Sequence, residues 1–433
     1  MFVTNITQNT LDILDFSNPV AAVHLSSVDM TPYGGGINSV DVHDGIVAAA
    51  VQGQTTGDEG EVVFFDVNGV FINSVTVGHL PDMVVFNHAG TQAITANEGE
   101  PSSDYLIDPK GTISVIDLLP GVAAINDSDV ATLTFDSFES QLNDLLAAGV
   151  RIFGPNASVA ADLEPEYVCV SDDDLTALVT LQENNAIAVV DLVTLQITEI
   201  RALGGKDHSL TSNLLDASDK GGEIFFASWP IKGLYMPDAI ECFEVGGVVY
   251  GISANEGDAR EYDNLVEAQR LKDVDLDPTA FPDARFLQKE DLLGRLNITT
   301  ASGDTDGDGD YDEIYSFGGR SITIWDMASG TPVWDSGSDF EVITANDPEW
   351  GGIFNASNGT SAVFKNRSDD KGPEPESVIV VEIEGRQFAF SGLERIGGIM
   401  VYEVSNPAQP EFIQYINTRD LGDLGPEGLD LHP

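Results

Sequence analysis

The chain has 433 residues, of which 42 % are hydrophobic, so it can form a large packed core despite a formal net charge of −53. A charge of this sign and size repels phosphate groups, which excludes nucleic acids and anionic membrane surfaces as partners. It attracts cations, and no apolar run reaches the length of a membrane span, so we expect divalent cations as partners and no membrane insertion.

The N-terminal residues predict three strands, at 2–6, 10–15 and 20–25, because apolar and β-branched side chains alternate with polar ones there. Residues 36–42 and 61–66 predict two strands of the next group.

One phrase then recurs along the chain: a proline followed by an acidic residue, two short strands, and a glutamate in a polar turn. The separation of its two carboxylates is nearly constant from copy to copy, and it matches the length of a hairpin of two short strands. The four pairs are Asp82 and Glu98, Glu166 and Glu183, Asp238 and Glu256, and Glu376 and Glu394. A further strand follows each pair, at 113–117, 187–191, 322–326 and 399–403.

Repeats of this kind predict an all-β fold, a β-propeller of six four-stranded blades in a single domain over 1–433. A weaker copy at 425–429 would supply the first strand of the last blade, and the three N-terminal strands would complete it. Such pairing closes the ring and leaves no exposed sheet edge. Seven blades are the alternative if the irregular insertions near 120–160 or 260–315 hold another. If the terminal strands pair between molecules instead, the chain self-associates.

In a propeller the innermost strands begin at one face, so the first carboxylates of all blades would gather there with Glu427. So many carboxylates need cations, Arg or Lys partners, or raised pKa values. We therefore expect a metal centre, with Ca²⁺ as the ion and Mg²⁺ or another divalent ion as the alternative. The expected ligands are Asp82, Glu98, Glu166, Glu183, Asp238, Glu256 and Glu376.

A separate loop carries acidic side chains at alternate positions: Asp304, Asp306, Asp308, Asp310 and Asp312. The pattern is similar to the first half of an EF-hand loop, although Tyr315 stands where the bidentate glutamate is expected. It predicts a calcium site, and a solvated acidic loop is the alternative.

Arginines are scarce, and Arg260 and Arg395 closely follow second carboxylates of the repeat. Either they neutralise buried carboxylates, or they hold a phosphate beside metal ions as residues of a catalytic site. The second hypothesis makes the chain a metal-dependent phosphoesterase; whether it is an enzyme stays open at this point.

The two cysteines, Cys169 and Cys242, lie in matching strands but one residue out of phase. Alternate residues of a strand face opposite sides, so we expect two buried thiols, which leave the redox compartment undecided.

Several longer motifs resemble the choice-of-anchor I family of secreted or surface proteins, whose members are described as alkaline phosphatase-like and whose relatives include mesenchyme-specific cell-surface glycoproteins. The motifs lie at 80–83, 96–101, 182–185, 235–238, 254–260, 393–398 and 417–419. The resemblance implies an extracellular or cell-surface β-propeller, distantly similar to phytase-like and lactonase-like propellers. We accordingly expect a calcium-binding surface, adhesive or structural binding module, with a phosphatase acting at the acidic channel mouth as the alternative.

Overall fold

The computed structural model describes residues 1–155 and 157–431. The chain divides into two compact units, the first of residues 1–201 and 262–264, the second of residues 202–261 and 265 to the C-terminus. Strands dominate both units. The α-helices are short: α1 (Leu142–Ala148), α2 (Val159–Asp162), α3 (Ala284–Leu287) and α4 (Asp339–Asn346). None of the described helices has the length and apolar character needed to cross a membrane.

Short 3₁₀ helices connect some of these elements, at Pro19–Ala21, Asp127–Asp129, Phe135–Gln141, Leu271–Asp273, Gly351–Ile353 and Arg419–Leu421.

The first unit is built of sheets A to D, in which strands consecutive in the chain are neighbours. Sheet A has Phe2–Asn5, Thr10–Asp15 and Val23–Asp29. Sheet B has Gly36–His43, Ile46–Gln52, Glu59–Asp66 and Phe71–His79. Sheet C has Pro81–Phe86, Gln92–Asn97, Thr112–Asp117 and Val130–Thr134. Sheet D has Val168–Val170, Thr176–Leu181, Ala186–Asp191 and Gln196–Ala202.

The second unit is built of sheets E, F and G. Sheet E is mixed, in the order Gly205–Asp207, Lys232–Leu234, Tyr315–Ser316, Asn297–Thr299 and Ala268–Arg270. Sheet F has Ile240–Val245, Val248–Asn255, Ser321–Asp326 and Pro332–Asp335. Sheet G has Pro375–Ile383, Arg386–Leu393, Ile399–Glu403 and Glu411–Ile416. A small separate hairpin pairs Glu261–Tyr262 with Leu265–Val266.

Sheet B shows why these segments form stacked sheets. Its second and third strands are almost continuously apolar, and both of their faces are buried. Val47, Val51 and Phe65 pack on one side in a cluster with Leu11 of sheet A. The alternate residues on the other side pack against sheet C. Burial on both faces requires a run of apolar residues in place of simple alternation, as in sheets covered on two sides.

The recurring Asn-Glu-Gly phrase has a backbone explanation in both units. Gly99 and Gly257 adopt φ values of +70° and +87°, in the left-handed region that glycine occupies without strain. A Cβ on Gly257 would also lie 2.0 Å from the Gly318 nitrogen, so the second strand can end close to its neighbour only with glycine there.

The predicted all-β class and most of the predicted strands agree with this architecture, whose described part contains five four-stranded sheets. The predicted closing strand at 425–429 is wrong: residues 423–431 form no strand, and sheet A keeps three strands. A proline and three glycines in 422–428 explain this, since neither residue favours a strand. The insertion near 120–160 supplies a strand of sheet C with α1 and α2, and that near 260–315 supplies strands of sheet E. Ring closure through a strand at 425–429 is therefore not observed among the described residues, whereas the single domain and the count of six or seven blades stay predictions.

Candidate metal centres

The hairpins of the repeat bring their paired carboxylates to the same end of a sheet. In sheet C, Pro81 is opposite Asn97, and the Glu98 N–H donates to the Leu80 carbonyl oxygen at 2.9 Å. In sheet G, Pro375 is opposite Leu393, and the Glu394 N–H donates in the same way to Glu374, also at 2.9 Å. Carboxylates that are separated by a whole hairpin in the sequence are therefore close in space.

Each of these turns contains an uncommon backbone conformation. Leu80, Met236 and Glu374, the residues before the repeat prolines of sheets C, F and G, have φ values of +47°, +44° and +52°. A left-handed non-glycine residue before proline costs of order 1–3 kcal/mol and persists only where its surroundings hold it. The hydrogen bonds to the carbonyl oxygens of all three residues supply that support.

In the first unit the charges of two predicted ligands, Asp82 and Glu183, and of Glu100 and Glu164 all act on a third predicted ligand, Glu98. Burial and the nearby Glu100 charge raise the pKa of Asp82 to about 6. Burial, followed by the charges of Asp82 and Glu100, raises the pKa of Glu98 well above its ordinary value. Glu183 and Glu164 add smaller contributions of the same sign.

Glu166, a further predicted ligand of the first unit, lies at the start of sheet D. Its backbone N–H donates to the Thr180 carbonyl oxygen at 3.1 Å. This bond fixes Glu166 at the beginning of its hairpin, as the repeat predicts.

A tyrosine borders the first-unit cluster. The Tyr262 hydroxyl donates to Glu100 Oε1 at 2.9 Å, and its ring meets Tyr105 edge to face. Burial and the charges of Glu164 and Glu100 raise the pKa of Tyr262, which keeps its hydroxyl protonated and able to donate.

Two carboxylates of this cluster lack a basic partner. Among the described residues, neither Asp82 nor Glu98 forms an ion pair with Lys or Arg. Burial and the neighbouring carboxylates therefore raise the pKa of both groups, with no lysine or arginine pair to oppose the shift.

In the second unit, basic side chains compensate the charge of the clustered carboxylates. Glu256, Glu374 and Glu394 place carboxylate oxygens within 4.8 Å of one another. Lys371 Nζ lies among them, 2.6 Å from Glu256 and 3.3 Å from Glu374. Burial opposes the ionised form of Glu374, but the Lys371, Arg367 and Arg395 charges outweigh it and hold the pKa of Glu374 below its ordinary value. Basic side chains therefore compensate the charge of these carboxylates.

The two arginines proposed as catalytic residues are both engaged. Arg395 pairs with Glu374 at 2.8 Å and with Glu394 at 2.9 Å. Arg260 is buried, and its backbone N–H donates to Glu267 Oε2 at 3.2 Å. The Arg395 guanidinium is therefore paired with two carboxylates, while a catalytic role for either arginine stays a prediction.

Glu376 lies beside this second-unit cluster without a basic partner among the described residues. Burial and the charges of Asp238, Glu256, Glu394 and Glu427 raise its pKa to about 10. The Asp238 N–H donates to the Ala254 carbonyl oxygen at 3.2 Å, which fixes Asp238 at the start of its hairpin. The predicted ligands of the second unit thus meet, but two of them are neutralised by lysine or by protonation.

The aspartate loop forms two groups where the sequence suggested one. Asp304, Asp306 and Asp308 bring oxygen atoms within 4.8 Å of one another on the exposed side. Asp310 and Asp312 lie instead near Asp277, and the oxygen atoms of these three residues are also within 4.8 Å of one another.

Backbone and charge contacts join Asp277 to this loop. The Asp277 N–H donates to the Tyr311 carbonyl oxygen at 3.0 Å, which ties the distant residue to the loop. Burial and the charge of Asp308 raise the pKa of Asp310 to about 6. The loop therefore concentrates negative charge. Among the described residues, no lysine or arginine forms an ion pair with Asp310.

Sequence reasoning missed three features of these sites. Asp277 lies well before the start of the loop at Asp304, and no local pattern marks it. Glu374 was passed over for Glu376, although a buried glutamate, Glu164, precedes the repeat proline in sheet D as well. The asparagine of the Asn-Glu-Gly phrase was also passed over.

That asparagine organises a buried polar network in both units. Asn97 donates to Thr112 Oγ1 at 3.2 Å and Ser114 Oγ at 3.0 Å, and Thr95 donates to it at 2.9 Å. In sheet F, Asn255 makes the same three contacts, which are with Ser321, Thr323 and Ser253. The shared spacing, a hydroxyl two residues before the asparagine and two more on the next strand, was the available signal.

The prediction of two buried thiols is wrong. Cys169 and Cys242 are both buried, but neither is free, and each is disulfide-bonded. The alternation argument assumed matching strands of equal length and phase, whereas the strands that hold Cys169 and Cys242 have three and six residues.

The sheets and carboxylate clusters define an all-β repeat protein with several candidate cation sites. Comparison with known proteins specifies the family: residues 1–407 match the choice-of-anchor I domain, and the chain belongs to that family. This confirms the resemblance seen in the motifs.

Two curated relatives match parts of the chain. It is 34 % identical over 124 residues to Gigasin-3a of Magallana gigas, covering 28 % of this chain and 43 % of that protein. It is 26 % identical over 286 residues to a mesenchyme-specific cell surface glycoprotein of Strongylocentrotus purpuratus, covering 58 % of this chain and 36 % of that protein. The chain thus spans less than half the length of each of these curated relatives.

Solved structures are similar only at the level of fold. Hydrazine synthase of Kuenenia stuttgartiensis matches with a TM-score of 0.45 and 11 % identity, over 93 % of this chain and 72 % of that chain. The β-propeller domain of Cps50 (Swd1) from Myceliophteria thermophila matches with a TM-score of 0.32 and 9 % identity, over 57 % and 61 %. Scores this low carry no argument about function.

Proposed function

We propose that this chain is a calcium-binding module of a cell-surface or secreted protein, with an adhesive or structural role. The observation that carries the calcium proposal is the pair of aspartate groups at the loop of residues 304–312. A surface location is supported by the name of the sea-urchin relative and by the disulfide-bonded cysteines, since disulfides persist in oxidising compartments.

The loop has the chemistry that Ca²⁺ prefers. Calcium takes six to eight oxygen ligands at about 2.3–2.6 Å, in flexible geometry. Asp304 is already oriented by the N–H groups of Gly307 and Gly309, at 2.7 and 3.1 Å. Burial and then the charge of Asp308 raise the pKa of Asp310, and a bound dication would relieve the repulsion between these two carboxylates.

The first-unit cluster of Asp82, Glu98, Glu100, Glu164 and Glu183 is a second proposed divalent site. Its support is the absence of a Lys or Arg ion pair on Asp82 and Glu98 in the described part of the chain. The corresponding carboxylates of the second unit, Glu256 and Glu374, have Lys371 in that place. This difference favours a divalent cation as the counter-charge of Asp82 and Glu98 in the first unit.

The phosphoesterase alternative draws its support from the same first-unit cluster and loses support in the second unit. Arg395, its candidate phosphate ligand, is engaged by two glutamates. Hydrolysis of a generic phosphoester in added Ca²⁺ or Mg²⁺, lost in Glu98→Gln and kept in Glu382→Gln, would favour the enzyme over the binding module. No turnover with either ion favours the module.

Terbium luminescence tests the loop site, because Tb³⁺ replaces Ca²⁺ and Tyr311 lies within the loop as a sensitiser. We expect wild type to show emission that Ca²⁺ displaces, and Asp310→Asn and Asp277→Asn to lose most of it. Asp44→Asn is the matched control, because Asp44 is an exposed aspartate of the first unit, with 95 % of its side chain accessible.

Calorimetry of the same variants completes the test. Calcium at a hundred times its Kd should stabilise wild type by about 2.7 kcal/mol, since it binds the folded state only. Equal melting temperatures with calcium and with chelator, together with unchanged emission in Asp310→Asn, would contradict the calcium proposal.

A further inference from the structure

A lysine and an aspartate far apart in the sequence meet in the interior of the second unit. Lys365 and Asp216 have only 2 % and 1 % of their side chains accessible. Lys365 Nζ lies 3.1 Å from Asp216 Oδ1. The amine also donates to the carbonyl oxygens of Glu223 and of Lys220, the latter at 3.5 Å. The two side chains are thus held against each other, away from water.

We propose that Lys365 and Asp216 form an intramolecular amide bond, an isopeptide cross-link between Nζ and Cγ. The ammonium first transfers a proton to the carboxylate, giving an amine and a carboxylic acid. The Nζ lone pair then attacks Cγ, the Cγ–OH bond breaks, and the hydroxyl leaves as water with a second proton from Nζ. One amide and one water form, and no oxidant or cofactor is needed.

The free oxygen of Asp216 distinguishes this pair from an ordinary buried ion pair. Oδ1 accepts the Phe225 N–H at 3.0 Å in addition to Lys365. Oδ2 is buried and accepts no hydrogen bond from any described residue. Burying a carboxylate oxygen without a hydrogen-bond donor costs free energy. Oδ2 is therefore the oxygen that would accept the lysine proton and leave as the hydroxyl group.

A second buried pair in the same unit lacks this feature. Lys206 Nζ lies 2.9 Å from Asp335 Oδ1, and the lysine side chain is also only 2 % accessible. Asp335 Oδ2, however, accepts from Ser321 Oγ at 2.7 Å and Thr323 Oγ1 at 2.6 Å, while Oδ1 accepts the Gly337 N–H at 2.8 Å. Full hydrogen bonding stabilises that carboxylate as an anion, so we expect no reaction there.

The backbone of Asp216 is clamped on both sides. Its N–H donates to Glu341 Oε2 at 3.3 Å, and its carbonyl oxygen accepts from Arg320 at 3.1 Å. Leu215 and Ala217 on either side pack in an apolar cluster with Trp229. Such fixed, water-excluded placement is what converts a slow amide condensation into an intramolecular reaction and protects the product from hydrolysis.

Intact mass spectrometry of the full chain, denatured and fully reduced, tests the proposal. We expect wild type to be lighter than its sequence by the mass of one water molecule. Proteolysis should release a branched peptide that joins the segments around residues 216 and 365. Reduction removes the disulfide from the comparison, so only the cross-link contributes.

Two lysine variants locate the bond. Lys365→Met should have the full mass of its sequence, and Lys206→Met, the matched control at the other buried pair, should keep the loss of one water. Wild type at its full sequence mass with no branched peptide overturns the proposal, whether or not either variant folds. A water loss that persists in Lys365→Met also overturns it, because the bond then lies elsewhere.

Discussion

Glu376 offers the sharpest test of the electrostatics of the repeat, because it is held among like charges without a basic partner in the described part of the chain. Its pKa of about 10 means that the folded protein keeps it protonated at neutral pH, whereas the unfolded chain ionises it near 4.5. The Glu376→Gln variant has an amide of the same shape that never ionises. We expect it to be more stable than wild type in chelator.

The size of the gain follows from linkage. A carboxylate with a raised folded pKa contributes its full stability below about 4.5, and that contribution is lost as the pH rises toward 10. At pH 7 the loss is bounded by about 3.4 kcal/mol, at about 1.4 kcal/mol per pH unit above the ordinary pKa. Because Glu376 keeps some contact with solvent, screening lowers this to roughly 2 kcal/mol.

Urea unfolding of both proteins from pH 4 to 9 measures the difference. The two free energies of unfolding should converge near pH 4, and the variant should gain steadily above it. Glu382→Gln, at an exposed position of the same strand, should give no such trend. A constant difference with pH, or a less stable variant at pH 8, would refute the like-charge account. A variant destabilised only in calcium would instead identify Glu376 as a metal ligand.

Further expectations concern the buried network and the cysteines. Glu374→Gln should lower the free energy of unfolding by about 3–5 kcal/mol at pH 7, because it leaves buried cations unpaired. In wild type this contribution comes from a lowered pKa of Glu374. It should therefore be lost as the pH falls below the pKa of an ordinary glutamate. Asn255→Ala should cost about 2–4 kcal/mol in urea titrations by removing three buried hydrogen bonds, and Asn97→Ala a similar amount; a cost below that of a surface substitution would contradict the network. Thiol titration in denaturant without reductant should detect no free cysteine, and two thiols per chain would show the disulfide assignment to be wrong.

Local pattern was sufficient for the strands and for the pairing of carboxylates within a hairpin. Alternation, β-branching and the repeated proline phrase located the third strands of sheets C, D, F and G almost to the residue. The constant spacing of the repeat placed Asp82 beside Glu98 because a hairpin of that length returns to its starting end. The net charge of −53 also predicted that clustered carboxylates need cations, basic partners or raised pKa values, because like charges in contact repel each other.

How each cluster is compensated was decided only by the tertiary structure. Lys371 and Glu256 come from distant segments of the chain, and Asp277 lies outside the loop that holds Asp310, so neither partnership leaves a local sequence signal. The same repeat phrase therefore ends in a cluster that Lys371 neutralises in the second unit, whereas Asp82 and Glu98 of the first unit form no ion pair with Lys or Arg among the described residues. The sequence determined where carboxylates meet within a hairpin, because strand geometry is local. The packing of separate segments determined which charge meets them, because that contact depends on the whole fold.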